Sequence, residues 1–172
     1  SGVDASKALL SDEIDLATSS EFTFVSNVTR YPQLRILAGI ARVSAVRLFT
    51  RADSGIRMAR DLMGRRVGLT RRSIGEFFLG EYLLANGIGL SEVSLVDIAA
   101  PDITGALTSG RVDAAITWQP FVHRTATMLG PNYSELPEQE AYFFHMLLIG
   151  QRSWVDANQH PLGKVLSALI QA

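Results

Sequence analysis

Residues 62–77, Leu-Met-Gly-Arg-Arg-Val-Gly-Leu-Thr-Arg-Arg-Ser-Ile-Gly-Glu-Phe, constrain the chain more than any other stretch. They read as a turn, a short buried strand over 66–69, a polar loop over 70–72, and a helix opening at Ser73. Ser73 suits an N-cap, and Glu76 three residues on completes the S-x-x-E pattern of a capping box. A helix start leaves backbone N–H groups without intrahelical partners and carries positive dipole character. It therefore receives an anion or polar ligand readily. Arg71 and Arg72 add charge at the same mouth.

Short strands and helices alternate on both sides of this stretch. Before it come a helical pattern over 4–11, a strand over 14–17, a polar loop over 18–20, a helix over 21–30, and strands over 34–40 and 45–50. After it come the helix 73–86, with Ile74, Phe77, Phe78, Tyr82 and Ala85 on its apolar face, and a strand over 94–98. A helix over 102–109, a strand over 112–117, and a helix from 120 to about 128 follow. A polar connection over 130–139 leads into the most apolar run, 142–150, which reads as a buried strand, and the chain closes with helices over 153–158 and 161–171. Such alternation indicates an α/β architecture with mainly parallel sheets. The apolar strands ending at Arg51 and Gln151 bracket a self-contained βαβαβ segment, the arrangement a two-lobed hinge protein needs.

Composition removes several function classes. The net charge of −1 gives no electrostatic footprint for nucleic acid. No cysteine is present, which excludes disulfides, thiolate metal sites and a cysteine nucleophile. The basic residues are fourteen Arg against two Lys, which fits genomic base composition and also suits oxyanion recognition. No apolar run reaches the roughly 18 residues that span a bilayer. His123, His145 and His160 lack metal-ligand spacing, and a lone His145 inside the apolar run reads as structural. Ser73-Ile74-Gly75 lacks the first glycine of a nucleophile elbow, and Gly64–Gly68 lacks the end of a phosphate loop. Neither a catalytic set, a metal nor a cofactor is expected.

Several pieces, in order, resemble the nitrate/sulfonate/taurine/thiamine-precursor branch of the periplasmic solute-binding proteins of ABC transporters. They are residues 8–17 (LLSDEIDLA after Ala8), Asp53-Ser54-Gly55-Ile56, residues 61–67 (DLMGRRV) and Ser73 to Leu79 (SIGEFFL). Ala106-Leu107, residues 110–115 (GRVDAA) and Trp118-Gln119-Pro120-Phe121 complete the set. The resemblance implies a type II periplasmic-binding-protein-like fold with two lobes of mainly parallel sheet and flanking helices. Lobe 1 would comprise residues 1–50 plus 141–172, and lobe 2 residues 51–140. The family's usual opening strand–helix–strand unit has no counterpart here. Lobe 1 is therefore expected to be incomplete, with an exposed sheet edge near 14–17 through which the chain self-associates.

The resemblance further implies extracytoplasmic binding of a small polar or anionic solute in an interlobe cleft, for import through an ABC permease. The protein would be periplasmic or extracellular, its leader not present in this chain. The alternative is the ligand-sensing domain of a membrane receptor, a histidine kinase or cyclase. Carried position by position, the ligand-binding candidates are Ser19, Ser20, Arg42, Ser44, Thr70, Arg71, Ser73, Gly75, Glu76, Trp118 and Gln119. Sulfonate, nitrate, carboxylate and aminopyrimidine all remain open as ligands.

Overall fold

The computed structural model describes residues 2–139 and 142–171. The chain divides into two units, residues 1–43 with 143–172, and residues 44–142. The expected lobe boundary at 140/141 lies outside the described residues. The first unit opens with helix α1 (Gly2–Leu10), strand β1 (Leu16–Ser20), helix α2 (Glu21–Val28) and strand β2 (Leu34–Val43). In the second unit come β3 (Val46–Arg51), β4 (Arg66–Leu69), α3 (Ile74–Ala85), β5 (Ser94–Asp97), α4 (Ile103–Thr108), β6 (Ala114–Trp118), α5 (Phe121–Leu129) and β7 (Tyr133–Glu135). The first unit resumes with β8 (Phe144–Gln151), α6 (Arg152–Ala157) and α7 (Gln159–Gln171).

In the first unit β8 lies between β1 and β2 and runs antiparallel to both. Its apolar run places Leu147 and Ile149 on one face, where they pack with Leu9 of α1, Ala17 of β1 and Leu34 of β2. Phe24 and Val28 of α2 close over that cluster. Residues 18–20, expected as a loop, are the second half of β1. Thr18 pairs with Leu148 and Ser20 with Met146, and strand pairing across the chain overrides the polar composition. Ser20 nevertheless caps α2 as its sequence suggests, its hydroxyl accepting from the Thr23 amide at 3.3 Å. Strand β2 likewise runs on through Arg42, because residues 41–43 stay paired with 144–146 beyond two bulges.

The second unit carries a five-stranded sheet in the order β5-β4-β6-β3-β7. Strand β4 runs parallel to β5 and β6, whereas β3 runs antiparallel to β6 and β7. The second unit's sheet is therefore mixed and the first unit's antiparallel, where mainly parallel sheets were expected. A parallel neighbour requires a long crossover connection. Strands β4, β5 and β6 are joined by the α3 and α4 crossovers and run parallel, whereas β3 and β8, each the first strand after the chain passes from one unit to the other, run against their neighbours.

One face of this sheet buries Phe49, Ala115 and Val112 against Ile103, Ala106 and Leu107 of α4 and Val122 of α5. Gly68 in β4 lies beneath this layer. A Cβ there would sit 3.0 Å from Ile98 Cδ1 and 3.2 Å from both Val112 methyls, so the close layer spacing depends on the missing side chain. Helix α3 covers the opposite face. Its buried set is Ile74, Phe78, Leu79, Tyr82 and Leu83; Ala85, expected inside, is exposed.

Two polar devices hold the frame. Asp113, just before β6, accepts from the Arg66 amide at 2.9 Å and pairs with the Arg66 guanidinium at 2.8 Å, tying the starts of β4 and β6 together. The Arg66 guanidinium holds the Asp113 carboxyl below the usual carboxylate range. Gln139 is buried and uses its amide as a piece of strand. Its Oε1 accepts from Leu48 N at 2.6 Å, and its Nε2 donates to Leu48 O at 2.9 Å. This contact extends β7, a strand hidden in the expected polar connection. Tyr82 of α3 donates to Pro137 O at 3.1 Å, and burial together with Glu138 pushes its hydroxyl up to about 12.

Candidate functional site

The strand order of the second unit defines a place for a ligand. From β4 the chain passes through α3 to β5 on one side, then through α4 to β6 on the other side of β4. Helical connections thus leave β4 in opposite directions, and outside the carboxyl ends of β4 and β6 lies the switch point at which open α/β sheets take ligands. Residues 70–76 lie at the first of these ends and residues 118–119 at the second, so six of the expected positions and Gly75 belong to one neighbourhood.

The β4–α3 turn is built from its own side chains. Ser73 is the N-cap, 2% exposed, its hydroxyl donating to Thr70 O at 2.6 Å and accepting from Gly75 N at 3.1 Å. Thr70 turns its hydroxyl to Ile98 O at 2.8 Å. Arg71 donates its amide to Asp97 at 3.0 Å and its guanidinium to Glu76 at 2.8 Å. Arg72 has φ 57, and its amide reaches Glu76 Oε2 at 2.6 Å. The reciprocal half of the capping box is therefore displaced by one residue. The left-handed backbone at Arg72 presents its own N–H to Glu76 in place of the Ser73 N–H.

This bonding redistributes the expected roles. The hydroxyls of Thr70 and Ser73, the Gly75 amide and the Glu76 carboxylate are engaged within the turn, and Arg71 balances Glu76. What the turn leaves open is backbone: among the described residues no acceptor meets the amides of Ser73 and Ile74. Such first-turn donors are the groups a helix start presents to an anion. Gly75 is buried, and a Cβ there would come within 3.4 Å of Ser73 Oγ and 3.6 Å of Ile116 Cγ2.

At the end of β6, Trp118 is half-buried and meets the Phe121 ring edge-on, centroids 6.5 Å apart. Gln119 is exposed, and its carbonyl caps α5 by accepting from His123 N at 3.1 Å. Trp118 is thus the last residue of the strand, not part of the following loop.

Ser19, Ser20, Arg42 and Ser44 belong to another neighbourhood. Ser19 and Ser20 are buried, Ser19 receiving the Ser6 hydroxyl at 3.2 Å and Ser20 meeting Thr23 at 2.9 Å. Arg42 is exposed at the end of β2, its guanidinium 4.1 Å from the Phe143 ring centroid. Ser44 begins the second unit's segment and is half-buried. Beside Arg42 stand Glu21, which the sequence reading passed over, and His145, which it read as structural. His145 opposes Arg42 across β2 and β8, and its Nδ1 lies 3.0 Å from Glu21 at the start of α2. His145 is exposed. The signal was available: alternation along β8 puts 145 on the α2 face, one residue beyond the covering helix.

Among the described residues no three His, Cys, Asp or Glu side chains are grouped to hold a metal ion. None of the helices there is long and apolar enough to cross a membrane.

Two α/β units linked by two passages of the chain are the type II periplasmic-binding-protein fold. The chain belongs to the NMT1/THI5-like family, which it matches over residues 1–172. The alkanesulfonate-binding protein SsuA from Xanthomonas axonopodis pv. citri bound to MOPS superposes with a TM-score of 0.88 at 19% identity, over 99% of this chain and 59% of that one. The periplasmic aliphatic sulphonate binding protein SsuA from Escherichia coli gives 0.75 at 20% identity, over 98% and 58%. Tv2483 bound to L-arginine gives 0.71 at 18% identity, over 99% and 65%. The chain thus spans less than two thirds of the length of these structures. No curated protein matches it.

Proposed function

We propose that this protein binds a small oxyanion-bearing solute outside the cytoplasm and delivers it to an ABC permease. The observation that carries the reading is the pair of open amides, Ser73 and Ile74, at the start of α3, beside Trp118 at the neighbouring strand end. The amides would receive the anionic oxygens, and the indole would pack against the solute body. Membership of the NMT1/THI5-like family and the sulfonate-binding proteins among the fold's relatives favour a sulfonate over other anions.

The test is calorimetric titration of the full chain with butanesulfonate, nitrate and butyrate, followed in parallel by tryptophan emission in a Trp154→Phe background. One anion should bind saturably with a Trp118 emission change at the same midpoint. Absence of saturable heat and of any emission change up to about 10 mM, weaker than a Kd of 1 mM at about −4.1 kcal/mol, would overturn the reading.

A further inference from the structure

The solvent side of α4 and α5 carries two arginines that the second unit leaves without carboxylates. Other arginines near α4 are engaged. Arg51 donates to Leu107 O at 2.9 Å and pairs with Asp53, and Arg66 donates to Gly110 O at 2.8 Å and pairs with Asp113. Arg111, in the turn after α4, and Arg124, on α5, have no ion pair or side-chain hydrogen bond among the described residues. Both are exposed, and both line a cavity of about 370 Å³. A guanidinium without a partner keeps its whole fork of donors for an oxyanion.

The floor of this trough is the outer strip of α4. Positions 102, 105, 106 and 109 are three and four apart and share one helix face. Gly105 is exposed there, and a Cβ at that position would meet nothing within 4 Å. The missing side chain lets another backbone approach the helix closely. Ser109 is turned back to Ala106 O at 3.2 Å. Asp102, the single carboxylate on the lining, stands at the amino end of the face. It repels like charge at that end and directs an acidic occupant toward the two arginines.

A lone anion gains little in so open a trough, because exposed pairs are weak and screened. A chain segment with several carboxylates engages both guanidiniums at once, and its backbone fits a floor that lacks a side chain at 105. We propose that this trough docks an acidic segment of a partner protein, Arg111 and Arg124 taking its carboxylates and Gly105 admitting its backbone. The trough lies on the α4–α5 side of the sheet, whereas the open amides of Ser73 and Ile74 begin α3 on the other side. It therefore stands independently of the solute-binding reading.

The test is fluorescence anisotropy of the full chain with a rhodamine-labelled peptide, Gly-Glu-Asp-Gly-Glu-Asp-Gly, beside a control peptide carrying Gln and Asn in place of Glu and Asp. The acidic peptide should bind saturably with a Kd below about 1 mM, and the control should not bind. Raising salt from about 0.1 M to about 1 M, which shortens the screening length from about 10 Å to about 3 Å, should release it. Arg111→Gln and Arg124→Gln should each weaken binding about fivefold, the upper size of one exposed ion pair. Gly105→Glu should abolish binding without lowering the melting temperature, because its side chain enters open space and glutamate suits a helix better than glycine. Equal binding of the two peptides, or undiminished binding in Gly105→Glu, overturns the proposal. So does a wild-type chain that binds phosphatidylserine vesicles but not the acidic peptide, or that binds neither. The two readings fail separately, since the anion titration does not involve this face.

Discussion

Replacing Ser73 by alanine separates scaffold from recognition at the α3 mouth. The Ser73 hydroxyl donates to Thr70 O and accepts from Gly75 N in a site that is 2% exposed. Loss of an N-cap costs about 1 kcal/mol, within a range of about 0.5–2. Here alanine also strands a part-buried carbonyl and a buried amide, which places the effect near the upper end, about 2 kcal/mol. For a chain of this length each kcal/mol shifts the melting temperature by about 2–4 °C, so the drop should be about 4–8 °C by scanning calorimetry. The ligand-induced gain should survive, because the proposed donors are backbone amides. At an anion concentration of 100 Kd it should stay near about 2.7 kcal/mol. Ser73→Thr, which keeps the hydroxyl, should recover most of the stability. An alanine variant with unchanged melting temperature and no ligand-induced gain would refute the assignment, since it would put the hydroxyl on the solute.

Two further outcomes test the frame around the site. The Arg66–Asp113 clasp holds a depressed carboxyl, so its contribution is complete above the unfolded value, about 3.9, and is lost as pH falls through the lower folded value. Acid titration of stability should therefore fall less steeply below about pH 4 in Asp113→Asn than in wild type; because the pair is partly exposed the difference is small, and identical slopes would count against the clasp. Gln139→Ala should lower the urea midpoint by the equivalent of about 1–3 kcal/mol, since it leaves the buried Leu48 N–H unpaired, with no change in slope. A midpoint within error of wild type would show that the strand-like amide contact contributes nothing.

The parts legible in the sequence were those fixed by neighbours in the chain. Strand β4 and the capped start of α3 follow from residues within one turn of each other, and Ser20 caps α2 for the same reason. Features set by distant partners were not legible. Thr18–Ser20 look like a loop until β8 pairs with them, and Tyr133–Glu135 become a strand only along the edge of β3. The displaced capping box needed the left-handed φ of Arg72, which no composition rule gives for arginine. Several motif residues proved to be braces. Asp61 accepts from the amides of Arg57 and Met58, Ser54 meets Thr50 and the Ile56 amide, and Asp113 clasps Arg66.

The position of β8 has a consequence for synthesis. The first unit's middle strand is encoded after the whole of the second unit, so on the ribosome β1 and β2 emerge before the strand that pairs with both of them. The uninterrupted segment 44–142 can complete its own sheet while the earlier residues wait. Vectorial translation thus makes the inserted unit the first to mature and leaves the outer one exposed to mispairing until residues 144–151 leave the exit tunnel.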